Sequence, residues 1–334
     1  MTATAVAEPV ARRGGVKAFL KLVVIEHSVF ALPFAYVSAL TAMTVVAVRE
    51  GGGPLRAASG GDVGWRDLVA ITVAMVAART FAMAANRLID RELDARNPRT
   101  ATRELVTGAV SLRTVRIGMA VSLAVFLAAA LYLAPICLAL APVAVAPLVL
   151  YPYAKRFTWL CHYVLGFAQA IAPVGAWVAV ADGFGRTPIA ESVDGLTGSY
   201  SAPFLSAILL GLAVGTWIAG FDLIYACQDV ESDRREGVHS LPARFGVRTA
   251  LRVSEVTHLV TVALLVAFGA VAGYGVIWFA AVALTAAALV YEHAIVRPDD
   301  LSRVNRAFFT VNGWIGIGLL AFAVADLVAR GFRP

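Results

Sequence analysis

Charged side chains are scarce in this chain: Asp, Glu, Lys and Arg make up 15% of its 334 residues, against 60% apolar. Soluble domains hold about a quarter charged residues, so a water-exposed surface is excluded for most of the length. No hydrophilic stretch is long enough for a separate soluble domain. Cysteine is rare as well. Cys137, Cys161 and Cys227 stand alone in apolar surroundings with no CxxC spacing, which argues against a disulfide framework or a zinc site and leaves them as small packing residues. An alternating pattern of about ten residues is missing too, which excludes a transmembrane barrel. The first residues, Met1 to Gly15, lack the apolar run and cleavage site of a removable signal peptide.

What is there is a series of long apolar runs, near 20–48, 66–88, 112–133, 135–152, 159–181, 203–227, 250–272, 275–293 and 308–329. Each is long enough to cross about 30 Å of hydrocarbon. Backbone groups in lipid must pair within their own segment, so the runs are expected as helices. The expectation is an all-α polytopic membrane protein with nine transmembrane helices around a central cavity. Residues 1–16 form a flexible tail and 17–334 a single domain. Two pairs of runs meet at Ala134-Pro135 and Gly273-Tyr274, where only very short turns fit.

The positive residues orient these spans. With nine helices, 21 Lys and Arg fall on the side of the N-terminus, 6 on the other, and Arg79 lies inside a span. The positive-inside rule then puts the N-terminus and the even-numbered helix ends in the cytoplasm, with the chain multi-pass in the cell inner membrane. The net charge of +6 is explained by these loops, so lipid is the expected partner. No nucleic acid and no obligate protein partner is expected.

Two acidic rows close even-numbered spans on that side. One reads Asn86-Arg-Leu-Ile-Asp90-Arg-Glu-Leu-Asp94; the other reads Tyr225-Ala-Cys-Gln-Asp229-Val-Glu-Ser-Asp233, with Asp222 ahead of it. At about 100° per residue, a spacing of four keeps each row on one helical face. Carboxylates beside a membrane core are costly and mark function. An offset of 139 residues superposes Asn86, Asp90 and Asp94 on Tyr225, Asp229 and Asp233, as in a duplicated unit with its site between the halves.

Such rows supply oxygen ligands suited to Mg2+, which takes one or two carboxylates, water and phosphate oxygens. No His or Cys shares either face, which disfavours zinc or iron. Two facing rows imply Mg2+ ions holding a pyrophosphate, and basic residues are expected to complete the clamp. Arg79 lies seven residues before Asn86, Lys155 and Arg156 end the fourth apolar run, and Arg99 and Arg103 follow the first row. A cation-coupled transporter is the alternative from another class, but transporter sites favour broken helices near the midplane, whereas these rows are expected at the cytoplasmic ends of unbroken helices.

The paired rows resemble the UbiA superfamily of intramembrane aromatic prenyltransferases over residues 17–330. Further similar strings are Glu26-His27-Ser28-Val-Phe30-Ala-Leu-Pro33-Phe34, Lys155-Arg156-Phe157-Thr158-Trp159 and the stretch from Asp229 to Gly246. They are most similar to the 4-hydroxybenzoate polyprenyltransferase-like branch, which includes the menaquinone enzyme of the futalosine route. The resemblance implies a UbiA-like fold with a cytoplasmic-side cap and transfer of a polyprenyl group from polyprenyl diphosphate to a small aromatic acid. Asp90, Asp94, Asp229 and Asp233 would hold Mg2+. Asn86 and Asp222 would support or ligate, and Arg79, Lys155, Arg156 and Arg99 would bind the diphosphate. Tyr225 would face the allylic cation.

Ubiquinone-type members commonly carry Asp after the motif Asn, where Arg87 stands here. A dihydroxynaphthoate acceptor in menaquinone synthesis is therefore the main expectation, with 4-hydroxybenzoate and ubiquinone as the alternative. His27 is a candidate acceptor-binding or proton-accepting group, or a structural histidine. His162 and His239 are expected to be structural. Asn312, with Asn305, is a candidate for the acceptor pocket or for helix–helix hydrogen bonding.

Overall fold

A computed structural model describes residues 19, 22, 31–49, 64–183 and 201–330. The apolar runs form helices: α1 (Leu32–Arg49), α2 (Trp65–Ile89), the short α3 (Arg91–Arg96), α4 (Leu112–Leu133), α5 (Pro135–Ala154), α6 (Cys161–Gly183) and α7 (Ser201–Ala226). After a 3-10 turn at Cys227–Asp229 come the short α8 (Val230–Glu236) and α9 (Leu241–Phe245). The long helices α10 (Val247–Val271), α11 (Val276–Ile295) and α12 (Asn312–Ala329) complete the chain, with a π turn at Arg306–Val311 leading into α12.

Eight helices among the described residues are long and apolar enough to cross a membrane. The described part of the first run offers a shorter apolar stretch, Leu32–Thr44. The expected tight turns are present. Pro135 opens α5 after an extended Ala134 (φ −167°, ψ 148°), a position where its missing N–H costs no helical bond. Gly273 adopts φ 72° between α10 and α11, a left-handed conformation that favours glycine.

The helices pack as a ring. α7 lies between α6 and α10, α10 leads to α11 and α12, and α12 closes onto α1, which returns to α6. On the other side α2 packs on α4 and α5, and α5 on α6. Between lipid-embedded helices there is no hydrophobic drive, so close backbone approach decides the contact. At the α6–α7 crossing a Cβ on Gly166 would lie 2.2 Å from the Gly215 carbonyl oxygen. Buried hydroxyls tie other pairs. Ser38 Oγ donates to Pro173 O at 2.6 Å, and Ser254 Oγ to Gly220 O at 2.6 Å.

The expectation of unbroken helices at the acidic rows is corrected. α2 ends at Ile89, and Asp90 sits between it and α3 with φ −91°, ψ 5°. Asp229 ends the 3-10 turn and caps α8 with φ −101°, ψ 3°. Both lie in the sparsely allowed bridge region often used at active sites. Each row therefore bends at its first aspartate, at the same position in each half.

Candidate active site

Despite the bend, the spacing of four survives at the first row. The Asp90 N–H donates to Asn86 O at 2.9 Å and the Asp94 N–H to Asp90 O at 2.8 Å. Asp90 and Asp94 are buried, at 1% and 7% exposure. Burial of carboxylates requires compensation, and each motif aspartate has it. Lys155 Nζ lies 2.5 Å from Asp90 Oδ2, Arg103 Nη1 2.5 Å from Asp94 Oδ1, and Arg99 grips Asp229 through Nε (2.8 Å) and Nη2 (2.5 Å). Asp233 Oδ2 accepts from Ser240 Oγ at 2.6 Å.

Arg99 follows the first row in sequence but binds the second. Its Nη1 also donates to Tyr225 Oη at 3.0 Å, and Asn97 Nδ2 donates to Asp229 Oδ1 at 2.9 Å. Arg96 Nη1 pairs with Glu236 at 3.0 Å, and Arg235 Nη2 donates to Arg96 O at 3.1 Å. The two halves are thus strapped together across the site by loop cations. Asp229 pairing wins over burial at Arg99 and holds its guanidinium above the usual pKa. At Asp90 burial wins over the Lys155 charge and pushes the carboxyl above its usual range.

Two cavities lie here among the described residues. A polar one of about 180 Å³ is lined by both rows, by Asn86, Asp222, Tyr225, Lys155, Arg99 and Arg103, and by His162. An apolar one of about 580 Å³ runs between α2, α5, α6 and α7. Asp222 lines both. The junction of a charged chamber with a greasy one is the arrangement needed for a molecule with an anionic head and an apolar tail.

A family model, "UbiA prenyltransferase family", matches residues 51–314 of this chain. The chain belongs to the UbiA family. A relative from Aromatoleum aromaticum, 4-hydroxybenzoate octaprenyltransferase, is 30% identical over 262 residues, which is 78% of this chain and 82% of that one. The mitochondrial 4-hydroxybenzoate polyprenyltransferase of Schizosaccharomyces pombe is 29% identical over 76% of this chain and 66% of its own. The apo structure of a UbiA homolog from Aeropyrum pernix K1 superposes with a TM-score of 0.75 at 34% identity, covering 90% of this chain and 98% of that one. A UbiA homolog from Archaeoglobus fulgidus, solved bound to GPP and Mg2+, shares the fold with a TM-score of 0.64 at 20% identity. This UbiA member is therefore a multi-pass membrane prenyltransferase, of the class that transfers alkyl groups other than methyl.

Within the UbiA framework the candidate residues separate. Asn86, Lys155, Arg99, Asp222 and Tyr225 line the polar cavity with the four aspartates. Arg156 stands at its margin, donating from Nη2 to Ile89 O at 2.7 Å, with 3.7 Å to Asp90 Oδ1. Arg79 is not among the residues lining the polar cavity. It lines the apolar cavity, and its buried Nε has no hydrogen-bond partner among the described residues. Asn312 is corrected as a pocket residue: it lines neither cavity, and is fully buried with both ends of its amide engaged by Trp217, Glu292 and Ala307. His27 lies outside the described residues.

His162 is the residue the spacing of motifs does not reveal. It sits at the start of α6, and its Nδ1 is 2.7 Å from Asp222 Oδ2 across to α7, while its Nε2 accepts from the Leu241 N–H at 3.4 Å. An acceptor role for Nε2 leaves the ring proton on Nδ1, so His162 donates to Asp222 and fixes it at the junction. The His239 backbone N–H donates to Lys155 O at 2.7 Å, and its ring Nδ1 lies 3.1 Å from Arg156 O.

The donor set fits Mg2+. Asp90 Oδ1 is buried without a hydrogen-bond partner among the described residues, as expected of an oxygen kept for a cation. No three Asp, Glu, His or Cys side chains among the described residues gather closely enough to hold an ion alone. That suits a metal which completes its shell with water and substrate phosphate oxygens.

Proposed function

We propose that this chain transfers a polyprenyl group from its diphosphate to a ring carbon of a small aromatic carboxylate of the 4-hydroxybenzoate type. The observation that carries this reading is Arg79, a cation with a free Nε inside an apolar cavity that meets the diphosphate chamber at Asp222. A half-buried Arg whose Nε is buried without a partner is expensive in a membrane protein unless an anion arrives to pair with it. A planar carboxylate matches its guanidinium in two parallel hydrogen bonds. The aromatic acid then lies with its carboxylate on Arg79 and its ring toward Asp222.

The chemistry follows from this placement. Lys155, Arg99, Arg103 and Arg156 bind the diphosphate oxygens. Mg2+ held by Asp90, Asp94, Asp229 and Asp233 would neutralise the charge that builds on the departing diphosphate. The bond from allylic carbon to oxygen breaks, and its electron pair leaves with the diphosphate. A ring carbon of the acid supplies the pair for the new carbon–carbon bond and then loses its proton. Asp222, held by His162, is placed to take that proton. The products are the prenylated acid, diphosphate and one proton.

The relatives' names favour 4-hydroxybenzoate over the dihydroxynaphthoate expected from Arg87, and with it ubiquinone-type over menaquinone-type synthesis. The 21 to 6 split of basic residues supports a cytoplasmic N-terminus and a cytoplasmic active site in the cell inner membrane. The test is transfer of radiolabelled prenyl from its diphosphate to each acid by the purified protein in lipid. Transfer to 4-hydroxybenzoate, lost with EDTA and restored by Mg2+, is the expected result. Transfer to the naphthoate alone would overturn the acceptor assignment.

A further inference from the structure

An aromatic ladder runs from the core to the polar chamber. Phe34, Trp217, Phe221, Phe308 and Tyr225 follow one another at ring-centroid distances of 5.1, 5.1, 5.0 and 4.3 Å. Arg99 Cζ lies 5.1 Å from the Tyr225 ring centroid. Phe221 and Phe308 line the apolar cavity, and Tyr225 the polar one. The Phe308–Tyr225 contact therefore sits where the two chambers meet, beside Asp222.

Phe308 stands in the π turn Arg306–Val311. A π turn inserts an extra residue, swings the following side chains round the axis, and is frequent at functional sites. This one is fixed by Asn312. Its Nδ2 donates to Ala307 O inside the turn (3.1 Å) and to Glu292 Oε1 on α11 (3.0 Å), while its Oδ1 accepts from Trp217 Nε1 on α7 (2.8 Å). Glu292 is fully buried, and its Oε2 has no hydrogen-bond partner among the described residues. An intramembrane carboxyl so placed is expensive, which argues for more than packing.

We propose that Asn312, anchored by Glu292 and Trp217, is a positioning residue that sets the π turn so that Phe308 and Tyr225 form an aromatic wall over the reacting allylic carbon. The inference rests on the prenyl transfer proposed above. Heterolysis of the allylic carbon–oxygen bond puts positive charge on that carbon. Ring faces stabilise a cation without trapping it as a nucleophile would.

The test uses full-length protein in lipid with prenyl diphosphate and 4-hydroxybenzoate. Phe308 is replaced by phenylalanines carrying one, two and three fluorines, which weaken the ring's electrostatics at nearly constant shape. Stepwise loss of kcat with each fluorine, and an unchanged KM for the diphosphate, is expected. Phe308→Leu should lose about 30-fold in kcat, corresponding to about 2 kcal/mol for a desolvated cation–π contact. Asn312→Ala should lower kcat in the native background and add nothing in the Phe308→Leu background. If Asn312→Ala does not fold, Glu292→Met replaces it, and Glu292→Gln, which keeps the Oε1 acceptor, should restore most of the loss. Fluorination without effect on kcat overturns the wall, and a fully additive Asn312→Ala overturns the positioning. Absence of transfer by the unmodified protein would instead sink the proposed function.

Discussion

Replacing Arg79 by Met separates the two halves of the site. Arg79 lines the apolar cavity and its buried Nε is unpaired, so in the substrate-free protein the change removes a half-buried charge and adds apolar bulk. Such a replacement is neutral or stabilising, and the melting temperature in detergent should hold or rise. With the acid bound, the variant lacks a charge-assisted pair in a low-dielectric chamber, about 2–4 kcal/mol from the range for hydrogen bonds to charged groups and buried ion pairs. At about 1.4 kcal/mol per decade, the KM for 4-hydroxybenzoate should rise roughly 30- to 700-fold. The KM for prenyl diphosphate should stay within about twofold, since Lys155 and Arg99 carry that end. Initial rates of radiolabelled prenyl transfer, varied in each substrate, measure both constants. Phenol, without the carboxylate, should be used equally poorly by both proteins. A rise in the diphosphate KM with the acid KM unchanged would return Arg79 to the phosphate clamp and refute the reasoning.

Asp90→Ala and Asp229→Ala should each lower kcat at least about 100-fold and raise the Mg2+ concentration for half-activity, because each removes a proposed metal ligand; retained activity in the double variant would refute the metal assignment. Lys155→Met should raise the diphosphate KM about 10- to 100-fold, the size of one or two kcal/mol at a charged hydrogen bond, and should lower the melting temperature of the metal-free protein, since buried Asp90 loses the cation 2.5 Å away. Gly166→Val should reduce folded yield and lower the melting temperature by several degrees, as its Cβ would meet the Gly215 carbonyl oxygen at 2.2 Å; an unchanged thermal transition by tryptophan fluorescence would count against close α6–α7 contact.

The apolar runs, the turns at Pro135 and Gly273 and the acidic rows were all legible from hydropathy and spacing. These features depend on local chemistry, which the chain carries residue by residue. The bends at Asp90 and Asp229 were not, because the hydrogen bonds that define a spacing of four persist through the first bend. Arg79 shows the limit of periodicity. Seven residues keep a side chain on the same face, but at 1.5 Å per residue they also carry it about 10 Å along the axis. Its face was right and its depth was missed, which moves it from the diphosphate chamber to the apolar one. Asn312 takes the helix–helix alternative rather than the pocket, since Trp217 and Glu292, distant in sequence, take up its amide. His162 gained its role from Asp222, 60 residues away, a distance no motif spans.

The loop cations that grip Asp90, Asp94 and Asp229 have a consequence for the order of events. A chamber in which three of the four motif aspartates are already paired with cations from within would offer little to a bare divalent ion arriving from solution. A diphosphate that drew Lys155, Arg99 and Arg103 onto itself would, by contrast, free the carboxylates as it settled. Metal and donor must then bind with positive coupling, each raising the other's affinity by the same factor. The empty enzyme would ignore fluctuations in the ambient magnesium level and respond only when the donor lipid is present.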